Sequence, residues 1–445
     1  MSKKNDGVDW EVLEAHLPEL VTAMEERVPY ASVLVATTKG LTIRVNHREQ
    51  EVHMADPRQG AVLSAWCGDH MEEQATAHLD LHHLAEAAAE LTREVQVRPG
   101  GLPVDPGEPL RARFATALGV DPRSVPLAEK FERFRTAQRQ LAGLDPRVIN
   151  AEVRYTETHE QRFFANRTRL LRQEIHRIRC FLLLVVHEEG KTAYNWHMSD
   201  GTGGLEIAEV PPEKIEELRD VAVGLLKARR VEPGYYDCVA TPSVAGTIAH
   251  EAFGHGVEMD MFLKGRARAA DYVGKMVASP LVSILEDPTV EGAYGSYFVD
   301  DEGQLASPTY IIRDGVFERG ITDLYSATRL GLPRTANGRR EAFTNKVYPP
   351  DVQHLFRPGG NAGGGNHRFC GSRFLPGPHL QRHGGPQELG PPGHGSRRAR
   401  DCKREVHRPT FLPGGHHRLR ARGVAEHLPG GGRLCPFRRV VWQGA

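Results

Sequence analysis

The chain has 445 residues, which exceeds one ordinary hydrophobic core and predicts two or three domains. Its 57 Lys and Arg balance its 57 Asp and Glu, so net charge indicates neither a nucleic-acid nor a membrane partner. Six widely spaced cysteines do not resemble a small disulfide-linked scaffold. The N-terminus lacks the apolar segment of a secretory signal, so we expect a soluble cytoplasmic protein.

The first half alternates between helix-like and strand-like patterns. Apolar spacing predicts four helices, at residues 9–28, 81–95, 126–144 and 212–230. Alternating apolar and polar residues predict strands, at 31–37, 41–45 and across 150–209. The long alternating stretch indicates an antiparallel sheet. We therefore expect an N-terminal α+β domain over residues 1–230, with a Pro/Gly-rich sub-boundary near 99–110.

The second domain is expected to span residues 231–349 and to be rich in β-structure. It should open with a strand at 235–240 and continue with a helix that begins near Ser243. The segment 309–317 places Asp314-Gly315 between two apolar runs, which predicts a β-hairpin. The predicted fold class is α+β throughout.

Residues 350–445 differ from the rest of the chain. They contain about two fifths of its glycines and histidines, many arginines and few acidic residues. No helical or strand period persists, so composition alone predicts a disordered basic tail.

The segment His250-Glu251-Ala252-Phe253-Gly254-His255 predicts a zinc-peptidase site. A gap of five residues turns about 500° around an ideal helix and splays the two imidazoles by about 140°. Both can reach one metal only if the helix is distorted between them. Gly254 and Gly256 bracket the second histidine and lower the cost of an irregular turn.

In that site His250 and His255 would bind Zn²⁺, and Glu251 would act as general base. A catalytic zinc needs a third protein ligand, and no downstream residue identifies itself as one. The alternative is a chance match in a chain with 22 histidines. Glu258 and Asp260 fit either a role in orienting a histidine or a solvated helix end.

Four ordered motifs resemble the TldD half of the TldD/PmbA metallopeptidases. They lie at residues 234–260, 295–303, 323–327 and 335–341. The resemblance implies a zinc peptidase that degrades unfolded or small peptides inside a closed chamber. It also implies zinc on the two histidines and on a cysteine in a late CGKG segment, and a dimer with itself or with a PmbA-like subunit.

Two further features stay open. Arg339 and Arg340 could hold a substrate carboxylate by bidentate contacts, or could serve only in a structural loop. Asp300-Asp301 fit either a turn or a cleft wall.

The resemblance stops after Tyr348-Pro349. Reading the codons of the tail one base later can restore family-like text at four places, starting at Pro350, Gly360, Arg400 and Leu434. We therefore hypothesise that residues after about 349 result from a one-base frameshift. The missing cysteine ligand would then lie under Val441-Trp442 in the shifted frame.

Three functions remain as alternatives. The first is a zinc peptidase of the TldD type that is active if the reading frame is restored. The second is a catalytically dead peptide-binding or scaffold protein, because the third zinc ligand is lost. The third is a basic, His-rich tail that binds nucleic acid or metals. It is disfavoured because the tail lacks the aromatic platforms of single-strand binders.

Overall fold

The computed structural model describes residues 8–229, 240, 242–350 and 354–357. The predicted strand at 235–240 lies almost wholly outside these ranges, and so does nearly all of the tail. None of the helices within these ranges is long and apolar enough to cross a membrane.

A seven-stranded sheet forms the first half of the described chain. Its strands are β1 (Tyr30–Val45), β2 (Gln50–Trp66), β3 (Met71–Thr76), β4 (Leu110–Ala115), β5 (Val148–Asn166), β6 (Arg169–Glu188) and β7 (Lys191–Thr202). The order is β3-β2-β1-β5-β6-β4, and β7 also pairs with β6. Strands β4 and β7 share one edge of β6, because β4 pairs with Arg169–Glu174 and β7 pairs with the residues from Arg177 onward. All pairings are antiparallel except that of β4 with β6.

The predicted break between two strands at residues 38–40 is wrong, because β1 continues through it. The pairing with β2 shifts register between Thr38 and Gly40, which is a β-bulge in one long strand. On the other side, β1 pairs with β5 without interruption.

Four helices cover one face of the sheet as two pairs, each over a different part of the strands, and these pairs are called the two helical layers. They are α1 (Trp10–Glu25), α2 (Leu81–Glu94), α3 (Leu127–Ala142) and α4 (Pro212–Leu226), close to the predicted positions. Helices α1 and α2 pack on Phe163 and Leu170, whereas α3 and α4 pack on Tyr155 and Ile178. Each layer therefore has its own apolar core on the same side of β5 and β6.

The rest of the described chain contains a smaller sheet and three helices. The helices are α5 (Pro242–Phe253), α6 (Met259–Leu263) and α7 (Leu324–Leu330), and the strands are β8 (Ser283–Glu286), β9 (Thr309–Arg313), β10 (Val316–Phe317) and β11 (His354–Arg357). The sheet order is β10-β9-β8-β11. The predicted hairpin is confirmed, because Asp314 and Gly315 both have positive φ, as a type I′ turn requires.

The predicted α+β class with a large antiparallel sheet is confirmed. The domain boundaries at 230 and 349 stay predictions. Strand β11 lies beyond residue 349 and pairs with β8, so the described residues after that position are still part of the smaller sheet.

Candidate functional site

Helix α5 ends inside the predicted zinc motif. The α-helix stops at Phe253, Gly254 turns, and a short 3₁₀ turn spans His255–Val257. The Gly254 amide donates to the His250 carbonyl oxygen at 2.6 Å, and the Val257 amide donates to Gly254 at 3.2 Å. The backbone is therefore irregular between the two histidines, as their five-residue spacing requires.

The apolar face of α5 fixes how the motif is presented. Ala249 and Phe253 pack into a core with Ile311 and Ile312, and the Phe253 ring lies 6.0 Å from the ring of Phe317. His250 is buried in the last turn of the helix, whereas Glu251 is exposed. The side chain of His255 lies outside the described structure, so the ligand geometry predicted for the pair stays a prediction.

The acidic residues after the motif have separate surroundings. Glu258 forms a parallel bridge with Ile321, and the next residue, Met259, donates its amide to Ile321 at 2.9 Å. The Asp260 carboxylate accepts from Lys264 at 2.7 Å, an i,i+4 pair on α6. This pair supports the interpretation of Asp260 as a polar helix residue.

Arg339, one of the two predicted substrate-binding residues, lies in a buried charged network. Its guanidinium lies 4.4 Å from the ring centre of Tyr297, 3.8 Å from the Asp301 carboxylate and 4.0 Å from that of Glu160. Only 12% of the Arg339 side chain is exposed. These contacts join the second half of the chain to strand β5.

Arg340 is also engaged by protein groups. It pairs with the Glu73 carboxylate on β3 and donates to the Asn345 carbonyl at 2.7 Å. Its side chain is 3% exposed. Both arginines therefore have structural contacts, and their binding of substrate stays a prediction.

A groove beside Arg340 collects three cationic side chains. It is lined by Arg58, Arg162 and Arg340 together with Thr38 and Phe343. Arg58 is exposed on β2, whereas Arg162 pairs with Asp301. Glu341 also lines the groove and Arg340 pairs with Glu73, so Arg58 is the exposed cation through which the groove could contact an anionic group.

Glu160 is the buried acid at the centre of the charged network. Arg177 donates to it at 3.2 Å, and Arg162 lies 3.6 Å away. Burial raises the pKa of the Glu160 carboxyl, but Arg177, Arg162 and Arg339 outweigh burial and lower it to about 2. Sequence analysis missed this residue, because Arg177 reaches it only through the pairing of β5 with β6 and Arg339 comes from the second half of the chain.

Asp300-Asp301 lie in a buried turn, which answers the alternative left open by the sequence. The Asp300 carboxylate accepts the amides of Glu302 at 3.0 Å, Gln304 at 2.7 Å and Gly338 at 3.0 Å. Burial raises the pKa of Asp300 and the nearby Arg334 opposes this shift. The turn therefore organises the loop that contains Gly338-Arg339-Arg340.

Glu302 caps the start of α7. Its carboxylate accepts the Leu324 amide at 2.6 Å. Burial raises the pKa of Glu302 well above its ordinary value, and the charge of Asp323 adds to this shift. Asp323 itself forms a capping box with Ser326.

Two cysteines have described side chains. Cys67 and Cys180 are buried free thiols. Burial raises the pKa of Cys180 to about 12, so its thiol is unreactive at neutral pH. The other cysteines lie outside the described residues.

The comparison with protein families gives one match, over residues 233–362. The matching family is described as the PmbA/TldA metallopeptidase C-terminal domain. The matched region includes both histidines of the motif and the four-stranded sheet.

Three relatives show how far the likeness extends. A metalloprotease of Methanothermobacter thermautotrophicus is 29% identical over 334 residues, which are 73% of this chain and 71% of the relative. A metalloprotease TldD homolog of Haemophilus influenzae is 28% identical, over 61% of this chain and 58% of the relative. A zinc metalloprotease TldD homolog of Saccharolobus solfataricus is 23% identical, over 49% of each chain. Other matches span about half the length of the relatives.

Among solved structures, TldE from Thermococcus kodakarensis is similar at a TM-score of 0.58. The alignment covers 77% of each chain at 16% identity. This likeness, with the large antiparallel sheet, defines a protein of the TldD/TldE fold. Residues 233–362 are similar to the C-terminal domain of the PmbA/TldA metallopeptidases, and the relatives carry the metalloprotease and TldD names that the sequence motifs predict.

Proposed function

We propose that this chain is a zinc-dependent peptidase of the TldD type that hydrolyses unfolded or small peptides. The observation that supports it best is the end of helix α5 at Phe253, between His250 and His255. A regular helix would point the two imidazoles apart. The names of the relatives, metalloprotease and zinc metalloprotease, support the same chemistry.

The residues present fit a zinc ion in donor type. His250 and His255 would hold the ion, and it would supply Lewis acidity and an activated water for peptide hydrolysis. Glu251, exposed one residue after His250, is free to approach a substrate from solvent. Its carboxylate would take a proton from water and pass it to the leaving amine.

The test measures zinc and activity separately on the purified full chain. His250→Ala should bind about one zinc fewer per chain than the parent and should lose peptidase activity. Glu251→Gln should keep its zinc and lose activity by at least about 100-fold, because a positioned general base contributes that much. Glu90→Gln, an exposed glutamate on α2, is the matched control. Full activity in the Glu251→Gln chain would contradict the proposal.

A catalytically dead peptide-binding or scaffold protein is the second candidate. Among the described side chains, the two clusters with metal-ligand chemistry lie away from His250. A site with only two histidines should hold zinc weakly, because catalytic zinc takes three protein ligands. A loss of less than about 0.1 zinc per chain on His250→Ala, with retained binding of a labelled unfolded peptide, would favour this candidate.

Restoring the reading frame after codon 349 separates the two candidates further. The restored chain should contain the cysteine that lies under Val441-Trp442. If the frameshift hypothesis is right, it should gain about one zinc per chain and peptidase activity. A restored chain without either gain would refute the third-ligand argument.

The groove lined by Arg58, Arg162 and Arg340 is our proposed contact for the C-terminal carboxylate of a peptide. Arg339 is proposed to support it from the adjacent network. Arg58→Gln should raise KM for peptides with a free C-terminus, and should leave KM for amidated peptides unchanged. An unchanged KM for peptides with a free C-terminus in the variant would contradict this role.

We also propose a cytoplasmic location and a dimer, formed with itself or with a PmbA-like subunit. The fold shared with TldE supports a partner of this family. Light scattering of the chain alone and mixed with a PmbA-like subunit distinguishes the two dimers. A monomer under both conditions would refute the proposal.

A further inference from the structure

A polar gap separates the two helical layers on one face of the large sheet. On β5, Tyr155 lies under α3 and α4, and Phe163 lies under α1 and α2. Alternate residues of a strand share a face, so His159 and Gln161 fall between the two cores. On β6 the same argument places Glu174 and His176 between Leu170 and Ile178.

Two histidines and one carboxylate meet in this gap. His159 and His176 are directly opposite each other in the β5–β6 register, and their rings stack at 4.3 Å. Glu174 precedes His176 by two residues and therefore lies on the same face. One Glu174 oxygen lies 2.8 Å from His159 Nε2 and 3.4 Å from His176 Nε2.

We propose that His159, Glu174 and His176 form a binding site for a divalent transition-metal ion such as Zn²⁺. Two imidazoles and one carboxylate are a ligand set found in zinc enzymes. The three ligand atoms lie within 4.8 Å of one another. Ligands of tetrahedral zinc at 2.0–2.1 Å are about 3.3 Å apart. The Glu174–His176 distance of 3.4 Å already fits, and the Glu174–His159 distance of 2.8 Å must open slightly.

One adjustment of the side chains is required. The two rings are inclined by only 16°, whereas a shared ion must lie in the plane of each ring. Rotation about the Cβ–Cγ bond of a histidine is soft, so one ring can tilt at low cost. His159, with 13% of its side chain exposed, has more freedom than His176 at 5%.

Arg123 competes with an ion for the carboxylate. It donates to the same Glu174 oxygen at 2.9 Å and is also held by Asp121. Its side chain is 46% exposed, so it can turn toward solvent and remain paired with Asp121. Hydrogen bonds from His159 and His176, and the charge of Arg123, hold the pKa of Glu174 well below its ordinary value, which keeps it an anionic ligand.

The cluster is independent of the candidate peptidase site. Its residues face the helical layers, whereas Glu160 and Arg162, on the opposite face of β5, contact the second half of the chain. An ion in the gap would join β5 to β6 between the two cores. It would therefore stabilise the N-terminal half without contacting the peptide substrate.

The experiment uses the full chain with His250→Ala and His255→Ala, which removes the candidate peptidase ligands. Titration with Co²⁺, followed by its d–d absorption, reports a low-coordinate protein site. We expect His159→Gln and Glu174→Gln to weaken binding at least about tenfold, because even losing an outer-shell partner of a metal costs 10–100-fold. Arg123→Gln should tighten binding, since it removes the competing cation.

The tail histidines are present in every variant, so differences in Co²⁺ affinity between variants report on the site formed by His159, Glu174 and His176. His83→Ala is the matched control, because His78, Asp80 and His83 form an exposed cluster of the same chemistry. It should leave the affinity unchanged. Zn²⁺ should also raise the Tm of the background chain and fail to do so in His159→Gln. Equal Co²⁺ affinity in the background, His159→Gln and Glu174→Gln chains would overturn the proposal, as would weaker binding in Arg123→Gln.

Discussion

Replacing Glu160 with Gln tests the charged network that joins strand β5 to the second half of the chain. The Glu160 side chain is 13% exposed and receives Arg177, Arg162 and Arg339 from three directions. A neutral amide would leave these guanidiniums without their shared anion in a buried place. Loss of one partner from such a network is more costly than loss of an exposed pair.

The expected magnitude follows from the pKa of Glu160. Its ordinary value is 4.5 and the network lowers it to about 2. A difference of about 2.5 units corresponds to about 3 kcal/mol of unfolding free energy at pH 7. Because the pKa in the folded state is lowered, this stability is fully present above pH 4.5. It is lost as the pH falls toward 2.

Urea unfolding at several pH values between 7 and 2.5 measures this difference. The free energy of unfolding of Glu160→Gln should be about 3 kcal/mol below that of the parent at pH 7, and this difference should shrink steadily below pH 4.5. Subtracting the unfolding free energies of the two chains at each pH cancels most contributions of other acidic residues. Glu132→Gln, which breaks an exposed pair with Arg135, should cost less than about 1 kcal/mol. A difference in unfolding free energy below 1 kcal/mol at pH 7, or one that does not change with pH, would refute the reasoning.

Other substitutions test the caps, the core and the reading frame. Glu302→Gln keeps an oxygen for the Leu324 amide and removes a buried charge, so it should stabilise the fold at pH 9. Because the pKa of Glu302 is raised, this gain should fade as the pH is lowered, which urea unfolding over a pH series would show. Phe134→Ala removes a buried ring stacked 4.4 Å from Tyr155 and should cost about 3–5 kcal/mol in the same assay; a loss under 1 kcal/mol would contradict the packing. Sequencing the gene across codons 345–355 should show a one-base change; an intact frame without family-like text in another frame removes the frameshift hypothesis.

Helix positions were predictable because their signals are local. Leu13, Leu17 and Val21 recur at helical spacing and are buried in α1. The turn at Asp314-Gly315 was predictable for the same reason, because its two positive φ values depend on those two residues. The zinc motif was found because its residues are contiguous.

Strand β2 was not predicted, because its first half lacks a buried face. Residues 50–58 are exposed at every position and include Pro57. Their strand conformation depends on pairing with β1, which is a non-local contact.

The clusters around Glu160 and Glu174 were also missed. Their members approach each other only through the register of β5 and β6, which a single sequence does not display. The available signal was weak. Arg172, Glu174 and His176 are three successive polar residues on one face of β6, between the apolar Leu170 and Ile178.

The charged face of the large sheet has a consequence during synthesis. The sheet is complete at Thr202, but Arg177 finds its carbonyl partners only at Tyr294 and Ser296. Those partners follow about 90 residues later, which is about 5–20 s of translation. During that interval Glu160, Arg162 and Arg177 are expected to remain hydrated on an uncovered surface. The same surface also exposes Leu34, Phe164 and Leu171, which pack with Val299 only later. The charged network therefore interrupts an apolar surface that would otherwise attract other nascent chains, before it holds the two halves together.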